Sequence, residues 1–192
     1  MNEIIKNKIQ DSIHVKTQLL SNDNAINKIK NITSKIIEVY NKKGKVFLCG
    51  NGGSAADAQH LAAELVGTMY LTRDSLNAEA LTTNTSTITA ISNDMNFNYI
   101  FSRQLENTGT EKDILIGLST SGESQNVINA IDTAKELGMY TVGLTGKKKN
   151  PVASKSHTYI RVPSNDTARI QEAHILIGHI ICELVEKELF NR

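Results

Sequence analysis

The sequence has no tryptophan, two cysteines and two prolines among its 192 residues, and only 5% of it is aromatic. Each scarcity removes a class of protein. Cys49 and Cys182 stand alone, with no second thiol at C-x-x-C spacing, which argues against a disulfide framework and against a cysteine-based zinc site. A reducing, cytoplasmic setting is the simplest expectation. Neither sign of charge dominates: 21 Lys and Arg face 20 Asp and Glu, a net charge of +1, so the electrostatic footprint of a nucleic-acid binder is missing. The longest basic run, Lys147-Lys148-Lys149, reads as a solvated loop. No apolar run reaches the roughly 18 residues that would span a bilayer. The N-terminus, Met1-Asn2-Glu3-Ile4-Ile5-Lys6, has no signal-peptide pattern. What remains, 40% apolar and 21% charged, is enough for a core and too ordered a mixture for a disordered chain. A single domain over 1–192 is expected.

The first 44 residues read as a helical pair. Ile4, Ile5, Ile9, Ile13 and Val15 make a loose stripe; Ile26, Ile29, Ile32, Ile36 and Ile37 make a better one, with Asn24 as cap and Gly44 as stop. Over 45–192 the pattern changes to short apolar runs at 46–49, 78–81, 114–118, 140–144 and 159–162. Helical patterns separate them near 54–70, 85–107, 124–137 and 166–189. Apolar strands alternating with helices predict an α/β fold, a doubly wound parallel five-stranded sheet covered on both faces. Pro151 and Pro163 are expected to lie outside the helices. In such a sheet ligands bind outside the carboxyl ends of the strands.

Two strand-to-helix loops carry chemistry. Gly50-Asn51-Gly52-Gly53-Ser54 can turn tightly and approach a ligand closely, with Ser54 as N-cap and Asp57 completing an approximate capping box. It is neither a dinucleotide fingerprint, since Asp57 stands where a third small residue belongs, nor a Walker loop. A tight turn without a ligand is the bland alternative. Ser119-Thr120-Ser121-Gly122-Glu123-Ser124 clusters four hydroxyls where a helix begins, a neutral donor set suited to a phosphate monoester held without arginine. A solvated serine turn is its alternative.

His60 and Glu64 are four residues apart, about 400° of helical rotation, and so share a helix face. They could serve one metal ion or one substrate, or form a surface hydrogen bond. The last helix places Gln171, Glu172, His174 and His179 in an apolar run. His174 reads as a structural histidine with its hydrogen bonds satisfied; His179 reads as buried or at an interface. Asn93-Asp94 could bond sugar hydroxyls or simply end a helix.

Taken together, Cys49 to Ser54, His60 to Glu64, Asn93-Asp94, the Ser119-Thr120-Ser121-Gly122 run with Ser124, and Arg169-Ile170-Gln171-Glu172 to His179 resemble the phosphoheptose isomerase family of the sugar-isomerase (SIS) domain superfamily. The resemblance covers nearly the whole chain. It implies a flavodoxin-like SIS domain that converts D-sedoheptulose 7-phosphate to D-glycero-D-manno-heptose 7-phosphate, an early step towards bacterial surface polysaccharide. It implies substrate contacts from Asn51, Gly52, Gly53, Glu64, Asn93, Asp94, Ser119, Thr120, Ser121, Ser124 and Gln171. It also implies one zinc ion per subunit, held by His60, Glu64, Gln171 and His179.

Aldose–ketose isomerisation moves a proton between C1 and C2 through an enediol and needs a base and an acid. Glu64 is the expected base and His179 the expected acid. The competing reading is a non-catalytic SIS-domain binding protein, either a sugar-phosphate sensor or a partner of a replication initiator. Such a module needs the serine loop but has no use for Glu64 with His179. The resemblance further implies a homotetramer that uses residues 1–44 to assemble. Gln171 and His179 are about 12 Å apart along one helix and about 80° apart around it. From that separation the reading expects His179 to meet the Glu64 of a neighbouring chain.

Overall fold

The computed structural model describes residues 1–190. Two long helices, α1 (Asn2–Leu20) and α2 (Asp23–Asn41), precede the sheet. The cap of α2 is Asn22 rather than Asn24: its side chain accepts the Ala25 N–H at 3.1 Å. The helix stops at Asn41, before Gly44, and Lys43 takes the left-handed conformation at φ 58°. The strands are β1 (Val46–Gly50), β2 (Ala78–Ala80), β3 (Ile114–Ser119), β4 (Tyr140–Thr145) and β5 (Thr158–Arg161). They pair in parallel in the order β2-β1-β3-β4-β5. That is the doubly wound sheet expected from the alternation of apolar runs and helical patterns.

The strands alternate side chains between two cores. Val46, Leu48, Ile114, Ile116, Val142 and Leu144 face the side packed by α1, α2, α3 (Gly53–Val66) and α8 (Thr167–Phe190). Phe47, Cys49 and Leu115 face the side packed by α5 (Ser102–Thr108) and α6 (Gln125–Glu136). Both faces of each strand are therefore dry, which is why the strands read as continuous apolar runs.

Three helical expectations differ in detail. The 85–107 pattern is broken into α4 (Thr85–Asp94), a 3-10 turn (Phe97–Tyr99) and α5. The breaks fall at Met95-Asn96, where the Asn96 side chain accepts the Asn98 N–H, and at Ile100-Phe101. Ser54 is not a cap: α3 begins at Gly53 behind Gly52, and Ser54 is buried inside the first turn. Pro151 does not lie outside the helices. It opens a short helix, α7 (Pro151–Lys155), at the one place where a missing N–H costs nothing, with Asn150 as cap.

Helix α3, which carries His60 and Glu64, is fastened to α8 by a buried ion pair. Arg73 Nε donates to Glu186 Oε1 at 2.8 Å, and both side chains are 2% exposed. The Glu186 carboxylate also accepts the N–H groups of Met69, Tyr70 and Leu71. Arg73 donates in addition to the carbonyls of Glu64 (2.9 Å) and Leu65 (3.0 Å), which end α3 without intrahelical partners. Both oxygens of the carboxylate and all three nitrogens of the guanidinium are thus hydrogen-bonded. Burial alone would raise the Glu186 carboxyl, but the Tyr70 N–H, Arg73 and the Met69 and Leu71 N–H groups outweigh it and hold it below its ordinary value.

Removing one partner strands the other charge, so Arg73→Met is expected to cost about 3–5 kcal/mol in urea denaturation at neutral pH. A loss below about 1 kcal/mol, the scale of an exposed pair, would show that the pair does not fasten the helices. Acid should act in two stages. His174 is buried and its imidazole is pushed down to about 4, so the unfolded chain takes up that proton first and stability declines as pH falls from 6.5. The Glu186 contribution is present above its unfolded value of 4.5 and is lost as pH falls through the lower folded value. Denaturation curves from pH 7 to pH 3 measure both stages.

Candidate functional site

The strand order reverses between β1 and β3, and the two loops singled out in the sequence leave those two strands. Chains leaving neighbouring strands at a reversal diverge to opposite faces and open a crevice between them. The glycine loop feeds α3 on one side, and the serine loop feeds α6 on the other. A reciprocal amide pair spans the gap: Asn51 and Asn126 each donate to the other's carbonyl oxygen at 2.8 Å. Asn126 is buried at the start of α6 and also accepts the Val127 N–H, so it fixes Asn51 from below.

The serine loop is organised from within. Ser119 is buried and its hydroxyl meets those of Ser124 (2.9 Å) and Ser121 (3.5 Å) while accepting the Gly122 N–H (3.1 Å). Ser121 is exposed, Thr120 and Ser124 half-buried. Gly122 has φ 71°, and a Cβ there would fall 2.0 Å from the Asn150 side chain. Asn150 in turn caps α7 through Ala153 N–H and donates to Thr145 Oγ1 and the Lys148 carbonyl. The loop therefore rests on a buried asparagine that the sequence reading did not single out. The signal was present: an Asn-Pro step marks a cap with proline in the first turn.

On α3, His60 Nε2 lies 3.1 Å from Glu64 Oε1, as the four-residue spacing requires. His179 arrives from α8 with its Nε2 2.9 Å from His60 Nε2. Donor atoms of His60, Glu64 and His179 all lie within 4.8 Å of one another, and no other such group of three His, Cys, Asp or Glu occurs among the described residues. The expectation that His179 would need another chain's Glu64 is thus overturned. The reason is the crossing of α3 and α8. Gly178 offers no side chain where Leu61 presses in, its missing Cβ being 2.4 Å from the Leu61 methyl carbons. At that close approach His179 reaches across to His60 on α3.

Gln171 stands two turns earlier on α8. Its side chain lies over Gly53 in the glycine loop, close enough that a Cβ on Gly53 would meet its amide nitrogen at 2.5 Å. Asn93 and Asp94 sit exposed in the last turn of α4, where Asn93 donates to Asp94 at 2.8 Å. Helix α8 thus serves two neighbours, the glycine loop through Gln171 and α3 through His179.

Two buried polar groups nearby are unsatisfied. Asp57, three residues before His60, has one carboxylate oxygen buried without a hydrogen-bond partner. Burial raises its carboxyl to about 6, against an opposing pull from His60. His174 was expected to have its hydrogen bonds satisfied, but neither ring nitrogen has a partner in bonding geometry, and the side chain is fully buried. Burial keeps that ring neutral at pH 7, which limits the cost of leaving it unpaired.

Known proteins with this arrangement can now be set beside it. The SIS domain family matches residues 11–146. The phosphoheptose isomerase of Aneurinibacillus thermoaerophilus is 50% identical over 191 residues, covering 100% of this chain and 96% of that one. The phosphoheptose isomerase of Sulfurimonas denitrificans is also 50% identical, covering 100% and 98%. Among solved structures, phosphoheptose isomerase from Neisseria gonorrhoeae superposes with a TM-score of 0.90 at 38% identity, covering 97% of this chain and 98% of that one. The Vibrio vulnificus NanR protein, solved with ManNAc-6P, shares only the fold, at 16% identity and a TM-score of 0.67. Full-length identity of this order, together with the matched domain and superposed fold, places the chain in the phosphoheptose isomerase family of SIS-domain proteins.

Proposed function

We propose that this aldose–ketose isomerase acts on D-sedoheptulose 7-phosphate, yields D-glycero-D-manno-heptose 7-phosphate, and uses Glu64 as base and His179 as acid. The observation that carries the reading is the meeting of His60, Glu64 and His179 in a chain that also carries a hydroxyl-rich loop after β3. A module that only bound sugar phosphate would need the loop alone.

The roles follow from chemistry. The hydroxyls of Ser119, Thr120, Ser121 and Ser124, with the free N–H groups that begin α6, hold the phosphate. Asn51, Gly52, Gly53 and Gln171 on one side, and Asn93 and Asp94 on the other, bond the sugar hydroxyls. Glu64 takes the proton from C1 and returns it at C2, while His179 protonates the oxygen that gains charge in the enediol. Two imidazole nitrogens and one carboxylate oxygen within 4.8 Å are a donor set that fits zinc, and Gln171 would add a fourth ligand. When bound, the ion would polarise the oxygens at C1 and C2.

Assembly as a homotetramer is part of the same proposal. Ile4, Ile5, Ile9 and Ile13 of α1 are each about half exposed or more, and Leu20 is 75% exposed, a stripe that a second copy would cover. No helix among the described residues is long and apolar enough to cross a membrane, and we place the enzyme in the cytoplasm.

Three outcomes are expected. Glu64→Gln keeps the shape of the side chain and removes its basicity, so turnover should fall by ~10²–10⁴-fold; near-normal turnover in a folded variant would remove Glu64 from the role. Ser121→Ala and Ser124→Ala should each lose a charge-assisted hydrogen bond, on the order of 1.5–3 kcal/mol of binding. If both variants bind substrate and inorganic phosphate as tightly as wild type, the phosphate lies elsewhere. Light scattering on the purified protein should give four chains per particle, with Ile9→Asp and Ile13→Asp dissociating it; an active monomer would end the tetramer proposal.

A further inference from the structure

The serine loop poses a charge problem that its own residues do not solve. A phosphate monoester carries close to two negative charges at neutral pH. Residues 119–124 offer neutral hydroxyls and N–H groups, and their only charged side chain is Glu123. The partial charge of a helix N-terminus compensates about half of one unit. Those neutral donors can hold the anion, and a cation outside the loop would add the charge compensation they lack.

The structure places two beside it. The chain leaving β4 is pinned against the serine loop, with the Gly146 N–H donating to the Thr120 carbonyl at 3.1 Å. The Lys147 N–H donates to the Ser164 carbonyl at 3.0 Å, and the Asn150 side chain donates to the Lys148 carbonyl at 2.9 Å. The backbones of Lys147 and Lys148 are thus held at the rim of a cleft of about 180 Å³ that Thr120 and Ser121 also line. Among the described residues neither ammonium forms an ion pair. Glu123 lines the same cleft, leaving one net positive charge there. On its other side Lys147 borders a second groove, lined by Lys28 and Arg161 and by no carboxylate. Glu123 is thus the one carboxylate among the residues lining the two grooves, and it offsets only one of the two lysines.

We propose that Lys147 and Lys148 supply the counter-charge for the substrate's phosphate, drawing the anion to the serine loop and selecting phosphorylated over neutral sugars. This inference rests on the isomerase reading and adds to it a second binding element from a different strand-to-helix connection. The ammonium groups act on the phosphate end, remote from the proton transfer, so they contribute to binding in the ground and transition states alike. Read from the sequence, Lys147-Lys148-Lys149 is a solvated run. The fold separates its members: Lys147 and Lys148 face the cleft, and Lys149 does not line it.

The test is the double variant Lys147→Met/Lys148→Met, with Lys149→Met as control, assayed on sedoheptulose 7-phosphate. The double variant should raise KM about tenfold and leave kcat within about twofold, whereas the control leaves both unchanged. Arginine at both positions should restore KM. The wild-type KM should rise with ionic strength, and that of the double variant should rise less steeply. Inorganic phosphate, followed by calorimetry, should lose affinity in parallel. Unchanged KM and phosphate affinity in the double variant would overturn the proposal, as would a loss confined to kcat. A wild-type protein inactive on sedoheptulose 7-phosphate would defeat the isomerase reading instead, and calorimetry with inorganic phosphate would still decide for or against the lysines.

Discussion

The contact between α3 and α8 is the constraint on which the rest of the site depends. Helix α3 brings His60 and Glu64, and α8 brings His179 and Gln171, from positions more than a hundred residues apart in the chain. Two features hold the helices in register. At one end Gly178 admits Leu61, so the axes approach closely enough for the imidazoles to meet. At the other, Arg73 and Glu186 form a buried pair whose remaining bonds go to the last carbonyls of α3 and to the N–H groups of Met69, Tyr70 and Leu71. A buried pair gives little net stability over an apolar packing of the same shape, but separating its partners strands a buried charge, which penalises any shift of α3 against α8. Uniqueness of the α3–α8 arrangement is what a proton-transfer site needs.

The sheet supplies the other half of the site by topology alone. With strands ordered β2-β1-β3-β4-β5, the connections after β1 and β3 part at the carboxyl edge, and any ligand there meets both. The Asn51–Asn126 amide pair keeps the two loops at a fixed distance, and Asn150 under Gly122 keeps the serine loop's backbone in the left-handed turn that aims its hydroxyls. Asn126 and Asn150, which are not among the proposed substrate contacts, thus set the positions of residues that are. This division makes the loops precise without making them rigid elements themselves.

Much of this was legible in the sequence because its signals are local. Strands such as Ile114–Ser119 announce themselves as dry on both faces, and the glycine and serine runs stand where strand gives way to helix. The four-residue spacing of His60 and Glu64 is a statement about one helix. What escaped depends on contacts between distant segments. Arg73 and Glu186 carry no motif, and nothing in either neighbourhood says they are buried together. His179 was assigned to another chain's Glu64 because spacing along α8 says nothing of the angle at which α8 crosses α3. Asn24 and Ser54 were each misjudged as caps by two positions, since several capping residues crowd each helix start and only the backbone chooses among them.

The central claim is that one chain's Glu64, held beside His60 and His179, moves a proton between adjacent carbons of a ketose phosphate. Proton NMR of sedoheptulose 7-phosphate in D2O with the purified protein tests it most directly. Loss of a C1 proton signal and growth of an aldose signal are expected, with both changes slowed by ~10²–10⁴-fold in Glu64→Gln. An unchanged ketose spectrum with the folded wild-type protein, or aldose forming as fast with Glu64→Gln, would contradict it.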